Sequence, residues 1–169
     1  MNTAVGPEMD DSSVRLRPVV DSDTQFLENL YASTRQDISC LPLSAAEIQR
    51  LLSMQFHAQH EHYRRYFPEA QSDIILLQAE PAGRLYVDRN GDEIRLIDIA
   101  LLPKYRRQGL GSAILQELLE EAATEAKPVR LRVEPYSPAV RLYERLGFTT
   151  ITDEQANLHM ECRPGSVCP

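Results

Sequence analysis

A mixed α/β sheet is the fold class that this sequence predicts, and three observations carry it. Stretches with the two-residue alternation of strands and stretches with the three-to-four-residue spacing of helices follow one another along the chain. The run "EIRLIDIALL" (93–102) is apolar on nearly both faces, the pattern of a strand covered on both sides. A strand then leads through the basic, glycine-bearing loop "KYRRQGLG" (104–111) straight into an amphipathic helix.

Element by element, "VRLRP" (14–18) alternates and predicts a first strand. "DSDTQFLENLYASTR" (21–35) places Phe26, Leu27, Leu30 and Tyr31 at helical spacing. "SAAE" (44–47) is a capping box and starts a helix through Ile48, Leu51, Leu52 and Phe56, expected to reach Tyr63, with Pro68 ending the region. "DIILLQ" (73–78) reads as a buried strand, "EPAGR" (80–84) as a turn and "LYVD" (85–88) as the next strand. "NG" (90–91) is a hairpin signal ahead of the run at 93–102. Leu110, Ala113, Ile114, Leu115, Leu118, Leu119 and Ala122 form the apolar stripe of the following helix. "VRLRVE" (129–134) predicts another strand. Ser137 as N-cap, Pro138 at the first helical position and Gly147 beyond the end bracket a short helix. "FTTIT" and "NLHMECR" close the sheet.

The chain of 169 residues suits one domain, expected over 14–163, with tails at 1–13 and 164–169. No apolar run reaches the ~18 residues needed to cross a bilayer, and "MNTAVGPEMDDSS" has neither the basic nor the apolar part of a signal peptide. The three cysteines, Cys40, Cys162 and Cys168, are odd in number and form no CxxC pair, which argues against a disulfide framework or a zinc site and for a cytoplasmic home. The segment "MQFHAQHEHYRRYFP" (54–68) holds His57, His60 and His62, but no HExxH metal motif. A net charge of −7 disfavours nucleic acid as a partner. It is compatible with a cationic substrate, plain solubility being the simpler account.

Against that acidic background the cluster Lys104, Arg106, Arg107 stands out. The first amides of a helix lack internal partners and sit at the positive end of its dipole, so such an end binds phosphate. Glycine at Gly109 and Gly111 lets the backbone approach a diphosphate with no Cβ in the way. A Walker A loop would need GxxxxGK[ST] and a dinucleotide loop GxGxxG, and neither is present. A glycine turn with a solvated basic edge is the plain structural alternative.

"RRQGLG" fits (Q/R)xxGx(G/A), the acyl-CoA loop of the GNAT superfamily of N-acetyltransferases, at Arg106, Gly109 and Gly111. "AVRLYERLGF" (139–148) resembles that family's second signature, A-x-x-LY-x-x-x-GF. Both occur in order and at family spacing, and the resemblance covers roughly residues 14–163. It implies a central, mostly antiparallel mixed sheet of six or seven strands with helices on both faces. It also implies direct transfer of the acetyl group of acetyl-CoA to a primary amine in a ternary complex, with no metal. Arg106, Arg107 and the backbone at Gln108, Gly109, Leu110, Gly111 and Ser112 would cradle the diphosphate. Residues 97–101, with Ile99, Ala100 and Leu101, would run beside the pantetheine arm on a strand that in the family bulges and splays from its neighbour. Tyr136 and Ser137 stand where the family often has an asparagine in contact with the cofactor, a departure at one contact.

Tyr143 occupies the family's tyrosine slot for the acid that protonates the leaving thiolate and touches the cofactor. As plain sequence it shares a helix face with Ala139, Leu142 and Leu146, the pattern of a core residue. The base has two candidates. Asp98 interrupts an otherwise apolar strand and either acts on the amine or pairs with an arginine such as Arg130 or Arg132. Glu93 begins the same strand, near where several family members carry their base, and Glu134 ends the neighbouring one. The expected acceptor is a small-molecule amine, on a monomer or homodimer with no membrane partner. A protein N-terminal or lysine acetyltransferase and a non-catalytic acyl-CoA sensor are the alternatives.

Overall fold

The computed structural model describes residues 14–89 and 91–165. The expected tail at 1–13, residues 166–169 of the expected tail at 164–169, with Cys168 among them, and the asparagine of the "NG" pair lie outside the described residues. Among the described residues, seven strands form one sheet in the order β1-β2-β3-β4-β5-β7-β6. They are β1 Val14–Pro18, β2 Gln71–Leu77, β3 Glu80–Asp88, β4 Ile94–Leu101, β5 Val129–Val133, β6 Thr149–Glu154 and β7 Asn157–Cys162. Every neighbouring pair is antiparallel except β4 and β5. The helices are α1 Thr24–Thr34, α2 Gln36–Ser39, α3 Ala45–Tyr66, α4 Leu110–Thr124 and α5 Ala139–Arg145. No helix among the described residues is long and apolar enough to cross a membrane.

Strand alternation sends neighbouring residues to opposite faces, and two separate cores result. Ile75, Leu85, Val87, Ile94, Leu96, Val129, Leu131 and Met160 pack under α4 and α5. Ile74, with Leu76 and Ala100 at its margin, packs under α1, α2 and α3. Along α4 the buried residues are Leu110, Ile114, Leu115, Leu118, Leu119 and Ala122. Ala113, expected in that stripe, is exposed, because it sits one step round the helix from the buried face. The capping box of α3 forms: Ser44 N donates to Glu47 Oε2 at 2.8 Å and Glu47 N to Ser44 Oγ at 3.3 Å. That helix runs three residues past the expected Tyr63.

The expected turn at "EPAGR" is strand. The chain reverses earlier, at Gln78 and Ala79, which both adopt left-handed backbone at φ 52° and 64° and so supply the twist a two-residue hairpin needs. The glycine in that strand serves close approach rather than a turn. A Cβ on Gly83 would lie 2.1 Å from the Ala100 carbonyl oxygen of β4. The proline is accommodated at an irregularity, since the register jumps from Ile75↔Gly83 to Leu76↔Pro81.

Two features of β4 shape the functional face. Tyr86 pairs with Asp98 and Val87 with Leu96, so Ile97 is a bulge. Toward β5 the pairing comprises only Ile94↔Val129, Arg95↔Arg130 and Leu96↔Leu131. Beyond the bulge the two strands part, and a wedge opens in the middle of the sheet. At the far end of β5, Ser137 Oγ accepts from Ala139 N at 3.3 Å, so it caps α5 although the helix is counted from Ala139.

Candidate active site

The loop after β4 turns through Arg107 at φ 59° and Gly109 at φ 83° to launch α4. The first intrahelical bond is Ala113 N to Gly109 O at 2.9 Å, so the amides of Leu110, Gly111 and Ser112 precede any intrahelical acceptor. A Cβ at Gly109 would meet nothing within 4 Å, leaving clear space against those amides, and Gly109's positive φ is the reason for a glycine there. At Gly111 a Cβ would find only Leu101 and Leu142 at ordinary contact distances of 3.8 and 3.9 Å. An open amide cradle at the positive end of a fifteen-residue helix fits a diphosphate.

Arg106 is occupied otherwise. Its Nε donates to Leu101 O at 2.7 Å, and its Nη2 reaches Ser33 Oγ at 2.9 Å and Ser33 O at 3.2 Å. Through Nε and Nη2 it ties the loop to the end of β4 and to α1, and it lines the cleft beside the cradle with its charge and its Nη1 group. Gln108 folds back on the Lys104 carbonyl at 2.6 Å. Arg107 is exposed.

From the cradle a cleft of 740 Å³ runs into the wedge past Ile99, Ala100, Leu101, Gly111, Ser137 and Tyr143. A smaller slot of 310 Å³ occupies the wedge itself, bounded by Tyr63, Asp98, Arg132, Glu134, Tyr143 and Asn157 among others. Tyr143 therefore faces both, which its helical spacing alone left undecided. It is 7% exposed and packs edge-on to Phe148 at 5.6 Å. Burial, with the Asp98 carboxylate nearby, pushes its phenol up to about 12, so the group holds its proton throughout the physiological range. Tyr63, on the last turns of α3, is shifted up by the same two causes.

Asp98 reaches this wall because the bulge at Ile97 resets the alternation of β4. Its partner is Arg84, not Arg130 or Arg132. The carboxylate accepts from Arg84 Nε at 3.2 Å and from Arg84 Nη2, and Gln59 of α3 takes a further bond from that Nη2 at 3.2 Å. Arg84 is 5% exposed, so Asp98 is both an anion in the slot and the counterion of a buried cation. Reading "EPAGR" as a turn hid Arg84, and only the cross-strand neighbourhood of β3 and β4 reveals it.

Glu93 lies before the start of β4, at the end remote from the wedge. It accepts from Arg95 at 2.6 Å and from Arg130 at 2.5 Å. The lining of the cleft and slot does not include it. Tyr136 is 98% exposed, whereas Ser137 lines the cleft. Glu134 stands exposed at the mouth of both spaces. Among the described residues no group of three His, Cys, Asp or Glu could hold a metal ion.

Comparison with known proteins bears on this geometry. The family model described as acetyltransferase (GNAT) domain matches residues 40–164. The ribosomal protein bS18-alanine N-acetyltransferase of Escherichia coli is 42% identical, over 56% of this chain and 74% of that protein. An N-alpha-acetyltransferase of Sulfurisphaera tokodaii is 39% identical over a shorter stretch, 33% of this chain and 35% of the relative. Among solved structures, the PaiA N-acetyltransferase of Thermoplasma acidophilum in complex with coenzyme A superposes with a TM-score of 0.68 at 15% identity, covering 89% of this chain and 99% of that one. The bS18-alanine enzyme of Escherichia coli superposes with a TM-score of 0.62 at 20% identity, covering 90% and 94%. These superpositions speak for the fold.

Proposed function

Since the chain belongs to the GNAT family of acetyltransferases, we propose that it acetylates the α-amine at a protein or peptide N-terminus. It is an acyltransferase whose co-substrate, acetyl-CoA, supplies a thioester carbonyl for the amine to attack. The observation that supports this choice of acceptor is the similarity, at 42% and 39% identity, to an enzyme named as an alanine N-acetyltransferase of a ribosomal protein and to one named as an N-alpha-acetyltransferase. The small-molecule amine expected from the sequence is the competing acceptor.

The chemistry of the wedge suits an α-amine. Neutralising a lysine side chain at pH 7 costs about 4.6 kcal/mol, but an α-amine only about 1 kcal/mol. A weak base therefore suffices. The Asp98 carboxylate, paired with Arg84, draws the ammonium into the slot and accepts its proton directly or through water. Tyr143, its phenol held up to about 12, donates a hydrogen bond that stabilises the departing thiolate; because the thiol ordinarily titrates at ~8.5, the phenol keeps its own proton and the sulfur is protonated from solvent. The amides at 110–112 hold the diphosphate, and β4 beyond its bulge offers an unpaired backbone edge to the pantetheine arm. Glu93, spent on two arginines, takes no part.

The test is acetyl-CoA turnover, followed by thiol release, against N-terminal peptides, polyamines, aminoglycosides and amino acids. Mass spectrometry then locates the acetyl group. Acetylation on the peptide α-nitrogen, blocked by prior N-formylation, is the expected result. Turnover confined to small amines would overturn the acceptor, and binding of acetyl-CoA without turnover on any amine would leave a sensor.

A further inference from the structure

The core beneath α1 and α3 draws its strand residues from β2 and β4 and none from β5, β6 or β7. On that face of β5 and β7 the outward positions are Arg130, Arg132, His159 and Glu161, alternating with the core residues Val129, Leu131, Met160 and Cys162. A groove of 270 Å³ lies over it, with Arg95, Arg130, Arg132, His62 and His159 in its walls and no carboxylate among its lining residues. In a chain of net charge −7, this is a local concentration of cationic and titratable groups.

These cations are not equivalent. Arg95 is held by Glu93 at 2.6 Å. Arg130 is held by Glu93 at 2.5 Å and by Glu161 at 2.7 Å. His159 Nε2 is buried and faces Glu154 Oε2 at 3.1 Å without the geometry of a hydrogen bond. Arg132 is exposed and, among the described residues, has no hydrogen-bond or ion-pair partner. It also lines both the groove and the slot, as do Tyr63, Ile97 and Asn157. One continuous surface thus carries Asp98 and Glu134 at the slot and unspent positive charge next to it. A ligand with an ammonium at one end and a carboxylate a short way along matches that order of signs.

We propose that the acceptor is an acidic peptide N-terminus, with Asp or Glu at its second or third residue seated on Arg132 in this groove. The proposal rests on the α-amine reading above and adds the identity of the residues that follow the amine. An extended peptide advances about 3.3 Å per residue, so two residues take the chain from the slot onto the groove. Arg132 is the specificity-determining residue, presenting a fork of donors that matches a carboxylate.

The experiment measures kcat/KM for a peptide beginning alanine–aspartate–glutamate, for its asparagine–glutamine counterpart and for free glutamate. Wild type, Arg132→Gln and Arg132→Lys are compared. Wild type is expected to prefer the acidic peptide by roughly tenfold or more, the size of a charge-assisted hydrogen bond. The preference should reside in KM and shrink as salt is raised. Arg132→Gln should bring the ratio to about one, and Arg132→Lys should retain part of it. Equal use of both peptides, or a ratio untouched by Arg132→Gln, overturns the acidic preference and leaves the α-amine reading standing. Failure of every peptide overturns both readings. Free glutamate used better than the acidic peptide overturns the peptide as occupant.

Discussion

At Tyr143, burial and the Asp98 carboxylate act on the phenol in the same direction, and both keep its proton on. The pH profile follows. With an α-amine acceptor, kcat/KM should climb until the amine is neutral, near pH 8, and show no fall from Tyr143 until the pH nears about 12. Tyr143→Phe preserves the edge-on contact with Phe148 and should lower kcat by roughly 10²–10⁴-fold while acetyl-CoA affinity, read by calorimetry, changes little. Equal turnover would leave the side chain as packing. Asp98→Asn has two separable effects. It strips a buried arginine of its counterion, so the melting temperature should drop, by the equivalent of about 3 kcal/mol given that Asp98 is partly exposed. If Asp98 also takes the proton, the folded variant should regain activity as the pH rises, and a flat deficit at all pH values would limit it to holding Arg84. At the cradle Gly111 makes the sharper test. A side chain there meets only ordinary contacts within the protein, so Gly111→Val should stay folded and lose acetyl-CoA binding. Unchanged affinity would move the diphosphate elsewhere.

Among the elements, the strand-to-helix passage at 101–111 and the capped helices were legible because their signals are local: glycine spacing, a capping box, an apolar stripe. The β2–β3 hairpin was not. Its reversal uses glutamine and alanine at positive φ, a conformation their side chains do not advertise, while the proline and glycine that advertise a turn lie inside β3. The same strand hid the partner of Asp98, since Arg84 meets it only across the sheet. The bulge at Ile97 is likewise a property of pairing, invisible in one strand alone. Gly83→Ala tests this account of β3. The added methyl would collide with the Ala100 carbonyl, so β3 and β4 must separate. A loss of about 1–3 kcal/mol, read as a melting temperature lower by roughly 3–10 °C, is expected. An unshifted melting temperature would mean that the strands yield without cost.

For the whole molecule, two of the carboxylates held low are nearly buried: Asp23, bonded twice by Arg17 at 2.7 Å, and Glu161, bonded by Arg163 and Arg130. Their folded pKa values lie below the unfolded ones, so the stability they contribute is complete above the ordinary carboxylate range and drains away as the pH falls through the folded values. Thermal melts should be level from pH 8 to 5 and fall below about pH 4. The fall should be shallower in Asp23→Asn and Glu161→Gln, which start less stable. The parting of β4 from β5 has a further consequence at this scale. Backbone pairing between the two halves of the sheet is confined to three strand positions and the Ile94 N to Pro128 O bond beside them, so the sheet is seamed down its middle although one core underlies both halves. A molecule lying in the seam and bonded to both lips acts as a stitch, and the free energy of its binding is added to that of folding. The melting temperature should rise with each tenfold increase in acetyl-CoA, and amide exchange should slow along residues 97–101 before it slows anywhere on β1 or β6. In this sense acetyl-CoA is expected to act as one more strand across the seam, and exchange that slows first elsewhere on the sheet would place it outside.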